Sequence, residues 1–461
     1  MLPGSRGRRR IALGVAIPAV LLFIGFIVAL LIPSNFFVLT EALDGLGLLA
    51  SRDRIAGLTS APPGPGAAAP LVLRGGMVWD ARGGLRANEA LAITGGRFAQ
   101  MPDPGARVVD ASGLTILPGL VDMHIHEMGG TFSGEMMLGN GVTTARNLGA
   151  QLEGILRHRQ QADAGERIGP RLFVTGPYLV GTPEGAADKE TGAPGPLEAR
   201  AAVARLAMAG VDGIKLHGAM PEAVVQAAVE LAHGRGLWVA AHLDGISAER
   251  ALALGVDTIE HASGMDWGGS DPEAERAALE AFRAHGACLT PTLVVAEHAF
   301  RIRELASPDN PMLAYLPWLL RRTWVVSQLT NAGAEGMSAQ EKQRRGERLE
   351  RIGAFTRRLA QDGGCVLAGT DAPAFLVAPG FDMHRELELL VEAGLTPHQA
   401  LAAATAAPAR ALGVQSEIGL IAAGMRADLI AVAGDPASDI TATRRLALVI
   451  QKGHIVLRRR N

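Results

Sequence analysis

The chain has 461 residues, of which 48% are hydrophobic and 20% are charged, and its formal net charge is -2. This near balance of charge argues against nucleic acid as a partner, which would normally require a basic surface. The hydrophobic content excludes a disordered chain. The two cysteines, Cys288 and Cys365, are too few for a disulfide scaffold or a cysteine-rich metal site, and we interpret them as buried thiols.

The first predicted element is a membrane anchor at residues 11–32, where the run IALGVAIPAVLLFIGFIVALLI contains no charged side chain. As a helix it would be about 33 Å long, enough to cross a hydrocarbon core of about 30 Å. An arginine cluster at residues 6–10 precedes it and favours a cytoplasmic N-terminus, with everything after Pro33 facing the extracytoplasmic or periplasmic side. A cleaved signal peptide is the alternative, but the run exceeds the usual apolar length of about 7 to 15 residues.

The rest of the chain divides by its pattern. Short apolar strands with Gly-rich turns occur on both flanks of a central region in which β-rich runs alternate with Ala-rich helical stretches. We therefore predict four parts: an arginine cluster and transmembrane anchor (1–33), an amphipathic segment with a Pro/Ala/Gly linker (34–69), a composite β-sandwich (70–117 with 412–458), and a barrel (118–411) with an insertion at about 297–361.

The central region contains eight strand candidates, the number found in a (β/α)8 barrel. They are LVDMHIH, VTTARNL, RLFVTGP, GIKLHG, WVAAHLDG, TIEHASG, CLTPTLVV and VLAGTDAP. The predicted fold class is therefore α/β, a TIM barrel. Such barrels gather their reactive groups at the carboxyl ends of the strands. The polar side chains found at those ends are His124, His126, Lys215, His217, His242, His261 and Asp371.

These motifs together resemble the amidohydrolase superfamily of metal-dependent barrel hydrolases. The similar segments are LPGLVDMHIH, GIKLH, AAHLDG, DTIEHASG and AGTDAP, followed by the closing segment IGLIAAGMRADLIAV. The likeness runs from roughly residue 70 to residue 457. It is greatest to the prolidase-like branch, with a weaker similarity to imidazolone hydrolases in the closing segments.

The resemblance implies a role for each polar residue. It implies that His124, His126 and Asp371 bind one metal ion and that His242 and His261 bind a second. It also implies that Lys215 is carboxylated and bridges both ions, since an ammonium group offers no lone pair to a cation. The two ions are expected to be zinc, although nitrogen and oxygen donors also suit iron, cobalt and manganese.

The same resemblance implies a mechanism. A hydroxide shared by the two ions would attack the scissile carbonyl, with Asp371 as the catalytic residue that transfers the proton to the leaving amine. Two further side chains are candidates for contacting the substrate. Tyr178 follows the third strand, and His217 shares a face with Lys215.

We therefore expect a membrane-tethered, extracytoplasmic hydrolase that cleaves an amide or peptide bond in a dipeptide, an N-acyl amino acid or a related cyclic amide. One alternative is a mononuclear aminohydrolase, or an imidazolone-type cyclic amidase, in which Lys215 is not a ligand. A non-catalytic binding barrel is disfavoured because every expected ligand is present. The expected partners are a small substrate and the membrane. The sequence leaves open whether the protein forms a homo-oligomer.

Overall fold

A computed structural model describes most of the chain after residue 67. The described residues are 55, 58, 68–81, 84–126, 130–183, 190–265, 272–310, 312–313, 318–333 and 337–459. In these ranges no helix has both the length and the apolar character needed to cross a membrane. The predicted anchor at 11–32 lies outside the described residues, as does most of the predicted segment 34–69.

Twenty strands follow one another along the described chain. Seven precede the barrel: β1 Leu71–Arg74, β2 Met77–Trp79, β3 Leu85–Ala87, β4 Leu91–Thr94, β5 Arg97–Ala99, β6 Arg107–Asp110 and β7 Leu114–Pro118. Ten belong to the central region: β8 Leu120–Ile125, β9 Val142–Asn147, β10 Arg171–Val174, β11 Tyr178–Val180, β12 Glu190–Gly192, β13 Gly213–Ala219, β14 Trp238–Asp244, β15 Thr258–Glu260, β16 Cys288–Thr290 and β17 Cys365–Val366. Three follow it: β18 Leu429–Ala433, β19 Leu446–Gln451 and β20 His454–Arg458.

The two flanks of the chain build one β-sandwich. A four-stranded sheet has the order β5-β4-β1-β6, and a six-stranded sheet has the order β20-β19-β18-β7-β2-β3. Apolar side chains from both sheets form a common core, including Leu73, Ile93, Ile116, Leu429 and Ile450. The central pairing of β7 with β18 is antiparallel, so the first and last parts of the chain share one sheet.

The central strands form a closed parallel barrel. All eight predicted strand segments contain strands, in the order β8-β9-β10 and then β13 to β17. The chain passes from β10 into β11, which pairs in parallel with β13 and so joins the two sheets of the barrel. The last gap is closed by a bridge between Ile125 and Ala372 and by the backbone hydrogen bond from His126 to Ala372.

Helices follow most of the barrel strands. They are α1 Gly130–Gly139, α2 Leu152–Asp163, α3 Pro196–Ala209, α4 Glu222–His233, α5 Ala248–Ala253, α6 Pro272–His285, α7 Leu293–Leu305, α8 Trp318–Asn331, α9 Ala339–Gln361, α10 Met383–Glu392, α11 Pro397–Ala403 and α12 Ala406–Ala411. Helices α7, α8 and α9 lie between β16 and β17, where the insertion at about 297–361 is predicted. Helix α9 begins after Ser338, whose hydroxyl accepts a hydrogen bond from the backbone N–H of Glu341 at 3.1 Å.

The interpretation of Cys288 and Cys365 as buried thiols is wrong, because the structure joins them in a disulfide. The two residues are register partners on β16 and β17, with Cα atoms 4.5 Å apart. Cys288 is the first residue of β16, and Cys365 is the first residue of β17. Because consecutive strands of a barrel are neighbours, their first residues come together.

Candidate active site

The side chains predicted for the site meet at the carboxyl ends of the barrel strands. His124 is on β8 and His126 follows it, while Lys215 and His217 lie on β13. His242 is on β14, paired in register with His217. His261 comes directly after β15, and Asp371 lies beyond β17 at the point where the barrel closes.

Asp371 is the residue around which the histidines gather. Its Oδ1 lies 3.4 Å from Nε2 of His124 and 3.2 Å from Nε2 of His126, and its Oδ2 lies 3.9 Å from Nε2 of His261. One potential ligand atom from each of His124, His261 and Asp371 falls within 4.8 Å of the others. Both His261 and Asp371 have positive φ angles, 57° and 61°, an uncommon conformation for residues other than glycine that functional sites often contain.

Hydrogen bonds fix the orientation of three imidazole rings. Nδ1 of His124 lies 2.7 Å from Oε2 of Glu260, and Nδ1 of His126 lies 3.3 Å from the carbonyl of Gly149. Nδ1 of His261 lies 2.7 Å from the hydroxyl of Thr292, which donates its own proton to the carbonyl of Pro291. Because all three partners accept, each Nδ1 carries the proton and each Nε2 presents a lone pair to the centre of the site.

Lys215 lies close enough to this group of rings for its charge to lower the pKa of His124, His242 and His261. Its side chain is buried, and its Nζ has no hydrogen-bond partner among the described residues. Burial lowers the pKa of Lys215 to about 8, although Glu260 and Asp371 act in the opposite direction. A lysine with this pKa is deprotonated far more readily near neutral pH than an exposed one. Its free amine is the form that reacts with carbon dioxide.

The remaining predicted residues continue the row of rings. The ring of His242 lies 4.7 Å from that of His261 and 4.8 Å from that of His217. The ring of Tyr178 lies a further 4.8 Å from His217, and burial, followed by Glu190, raises the pKa of its phenol to about 12. The two substrate candidates are therefore neighbours at the edge of the site.

The electrostatics keep the inner histidines neutral. Burial lowers the pKa of His124 and of His261 well below the usual value. Burial, with Lys215 and His217 adding to it, lowers the pKa of His242 to about 3. Neutral imidazole is the form that binds a metal ion, so these rings hold their lone pairs across the physiological range.

Two charged residues of the site are not among those predicted from the sequence. Glu260 and Arg146 are both buried inside the barrel and are joined by an ion pair of 2.7 Å. Arg146 also donates to the carbonyl of Met123 at 2.7 Å and to the hydroxyl of Thr258 at 3.0 Å. A signal was available, since Arg146 and Glu260 are charged residues within strands that must be buried on both faces.

The donor set fits a metal centre. Neutral imidazoles and a carboxylate are typical ligands of divalent transition metals. Two buried polar atoms point to the same conclusion, because Nε2 of His124 and Nζ of Lys215 form no hydrogen bond within the described part of the protein. A buried polar atom without a partner destabilises a protein unless a bound group satisfies it.

Comparisons with known proteins agree with this geometry. The family model described as "Amidohydrolase family" matches residues 115–456. A bottromycin amidohydrolase superimposes with a TM-score of 0.69 at 26% identity, covering 84% of this chain and 87% of that one. A Xaa-Pro dipeptidase with methionine in its active site shares the fold, with a TM-score of 0.66 at 23% identity and coverages of 84% and 100%.

A local sequence match points the same way. An N-acyl-D-aspartate deacylase from Alcaligenes xylosoxydans xylosoxydans is 34% identical over 113 residues, which is 23% of this chain and 22% of that protein. The suspected resemblance is confirmed by the family model, which covers most of the chain from β7 to β20. The protein belongs to the amidohydrolase family and is a hydrolase acting on carbon–nitrogen bonds.

Proposed function

We propose that this protein hydrolyses an amide bond of a small molecule with two divalent metal ions, most simply zinc. His124, His126 and Asp371 would hold the inner ion, and His242 and His261 the outer one. The observation that supports two ions is Lys215, whose buried amine has no partner and a lowered pKa, as a lysine poised for carboxylation requires. Its carbamate would supply two oxygen donors and one negative charge to the metal centre.

The protein's own groups account for the proton transfer. Bound divalent ions would lower the pKa of water and polarise the substrate carbonyl. Asp371 lies next to three histidines and is in a position to accept a proton from the attacking water and to pass it to the leaving nitrogen. Tyr178 and His217, at the edge of the site, would contact the substrate on the side of the fourth strand.

The substrate class we propose is a dipeptide, an N-acyl amino acid or a related cyclic amide. The similar proteins support this range, because their names give a dipeptidase, a deacylase and an amidohydrolase. A one-ion aminohydrolase is the second candidate. It is favoured by the compact group of His124, His261 and Asp371, which could hold a single ion without Lys215.

Metal analysis of Lys215→Ala separates the two candidates. We expect about two ions per wild-type chain, a carbamate signal after exposure to 13C-bicarbonate, and the loss of this signal, of metal and of amide hydrolysis in the variant. Lys342→Ala is the matched control, since Lys342 is exposed on α9. One ion in the wild type and full activity in Lys215→Ala would instead establish the mononuclear candidate.

We also propose that the catalytic domain is tethered to a membrane and faces the extracytoplasmic or periplasmic side. The apolar run at 11–32 behind an arginine cluster supports a tether. The Cys288–Cys365 disulfide supports the location, because disulfides persist in oxidising compartments.

Protease added to cells with a permeabilised outer layer should digest the barrel. A protected barrel would contradict this orientation, and a mature chain that starts after about residue 35 would indicate a cleaved signal.

A further inference from the structure

The inserted helix α9 presents one arginine to the mouth of the barrel. Four residues define the inner face of this helix. Ile352, Phe355 and Leu359 are buried, and Arg345 donates a hydrogen bond to the carbonyl of Ala299 on α7 at 2.8 Å. Arg348 follows Arg345 by three residues and precedes Ile352 by four, so it lies on the same face. Unlike the apolar residues of that face, its side chain is exposed.

The surroundings of Arg348 identify the opening that it faces. Its positive charge acts on His242, a predicted metal ligand, and on Asp244, the last residue of β14. Desolvation is the largest influence on Arg348 and lowers the pKa of its guanidinium. His242 and Asp244 both lie at the carboxyl end of β14, so Arg348 is close to the end of the barrel that carries the site.

Arg348 has an unsatisfied charge, unlike several arginines of the same helix. Arg344 and Arg345 both pair with Glu341, and Arg351 pairs with Glu347. Within the described residues, Arg348 has no carboxylate within ion-pair distance, and the same is true of Asp244, which shares the opening. A guanidinium group held over a reaction site without a partner is suited to bind an anion, and its planar donors match a carboxylate in two-point fashion.

We propose that Arg348 is a specificity-determining residue that binds the free carboxylate of the substrate. The inference rests on the proposed function, because a dipeptide or an N-acyl amino acid carries a carboxylate close to its scissile amide. It narrows the substrate class to amides with an acidic terminus and disfavours the corresponding carboxamides and neutral cyclic amides. Arg348 orients the substrate at the mouth, while the groups on the barrel strands carry out the chemistry.

Binding to matched acid and amide ligands tests this inference. The full-length, metal-loaded protein is titrated calorimetrically with a panel of N-acetyl amino acids and dipeptides and with their C-terminal carboxamides. We expect at least one acid to bind about tenfold or more tightly than its carboxamide, the effect of one charge-assisted hydrogen-bond pair. Arg348→Gln should remove this preference, Arg348→Lys should retain part of it, and the exposed Arg357→Gln of the same helix should leave it unchanged.

The possible outcomes separate this inference from the proposed function. If no acid binds the wild type, if acids and carboxamides bind equally, or if Arg348→Gln keeps the preference, the inference is overturned. If the preference exists and depends on Arg348, but the loaded enzyme hydrolyses no amide, the proposed function fails and the inference survives. Where hydrolysis occurs, Arg348→Gln should raise KM for acids more than it lowers kcat.

Discussion

Glu260 joins His124 to Arg146: one of its carboxylate oxygens lies 2.7 Å from Nδ1 of His124, and the other lies 2.7 Å from the guanidinium of Arg146. Burial opposes the charge on Glu260, but Arg146, Lys215 and the hydroxyl of Thr258 outweigh it and keep the pKa of this carboxyl below its usual value. The carboxylate therefore stays ionised inside the barrel. It orients His124 without contacting the centre of the site.

Removing this charge should weaken metal binding. Glu260→Gln keeps the shape of the side chain but loses the anion that holds the His124 ring and its proton. We expect about 10- to 100-fold lower metal affinity, measured by competition with a chelator, with the fold retained in circular dichroism. Glu280→Gln, an exposed glutamate on α6, is the control. Unchanged affinity in Glu260→Gln would show that the hydrogen bond does not orient the ring.

Asp371→Asn should abolish most of the catalysis. An amide cannot accept and return a proton, so we expect kcat to fall by about 100- to 10,000-fold, the range of general acid–base catalysis. The measurement is hydrolysis of the best substrate over a range of metal concentrations, because excess metal separates weaker binding from lost proton transfer. Asp309→Asn, at an exposed position after α7, should leave kcat unchanged. If excess metal fully restored the kcat of Asp371→Asn, Asp371 would act only as a metal ligand and not in proton transfer.

Glu386 should lower the stability of the protein as pH rises through the window between its unfolded and folded pKa values. This glutamate is buried on α10, where it accepts a hydrogen bond from the N–H of Val294 at 2.7 Å, and burial raises its pKa to about 8. Unfolded, it titrates near 4.5, so the folded state binds more protons between these two values. Taken alone, this group makes the free energy of unfolding decrease from about pH 4.5 to about pH 8. Buried His124, His242 and His261, whose pKa values are lowered, act in the opposite direction as pH rises toward 6.5.

Glu386→Gln tests this assignment, because the neutral amide has no charge to bury. Urea unfolding at several pH values should show the stability of the wild type falling relative to that of the variant between about pH 4.5 and about pH 8. Asp122, which burial also shifts to a pKa of about 7, titrates in both proteins. The exposed Glu350→Gln is the control and should follow the wild type. Parallel pH profiles for wild type and Glu386→Gln would show that Glu386 does not titrate in this window.

The disulfide should contribute measurably to stability. Cys288 and Cys365 close a long loop, and such cross-links typically stabilise by about 2 to 4 kcal/mol through their effect on the unfolded chain. Reductant should lower the free energy of unfolding by this order in the wild type and leave a Cys288→Ser/Cys365→Ser variant unaffected. Thiol titration should find no free cysteine in protein folded under oxidising conditions, and two free thiols there would contradict the pairing.

The sequence predicts the barrel and its inward polar residues because both follow from local patterns. Alternation places His124 with His126 and Lys215 with His217, and the carboxyl ends of parallel strands meet at one face. Pairings between distant strands are not local. The Cys288–Cys365 bond and the Arg146–Glu260 pair each depend on which strands are neighbours and on their register, and no single segment carries that information.

The position of Arg348 shows the same limit. A helix with charges on most turns predicts a solvated surface, and the pattern of α9 does so for most of its length. That one arginine lies over the barrel mouth depends on how α9 packs against α7, which is a tertiary contact. The proposed role of Arg348 therefore depends on how a helix packs and not on a sequence motif.

The pairing of β7 with β18 has a consequence for how the chain is made. Pro118 at the end of β7 lies opposite Leu429, so the sheet that leads directly into the first barrel strand lacks this partner until the chain has been synthesised beyond β18. Contacts this distant in sequence slow folding and leave strand edges exposed meanwhile. A nascent chain released before β18 has been synthesised would therefore expose the unpaired hydrophobic edge of β7 beside its barrel. Chaperones or proteases would act on such a chain.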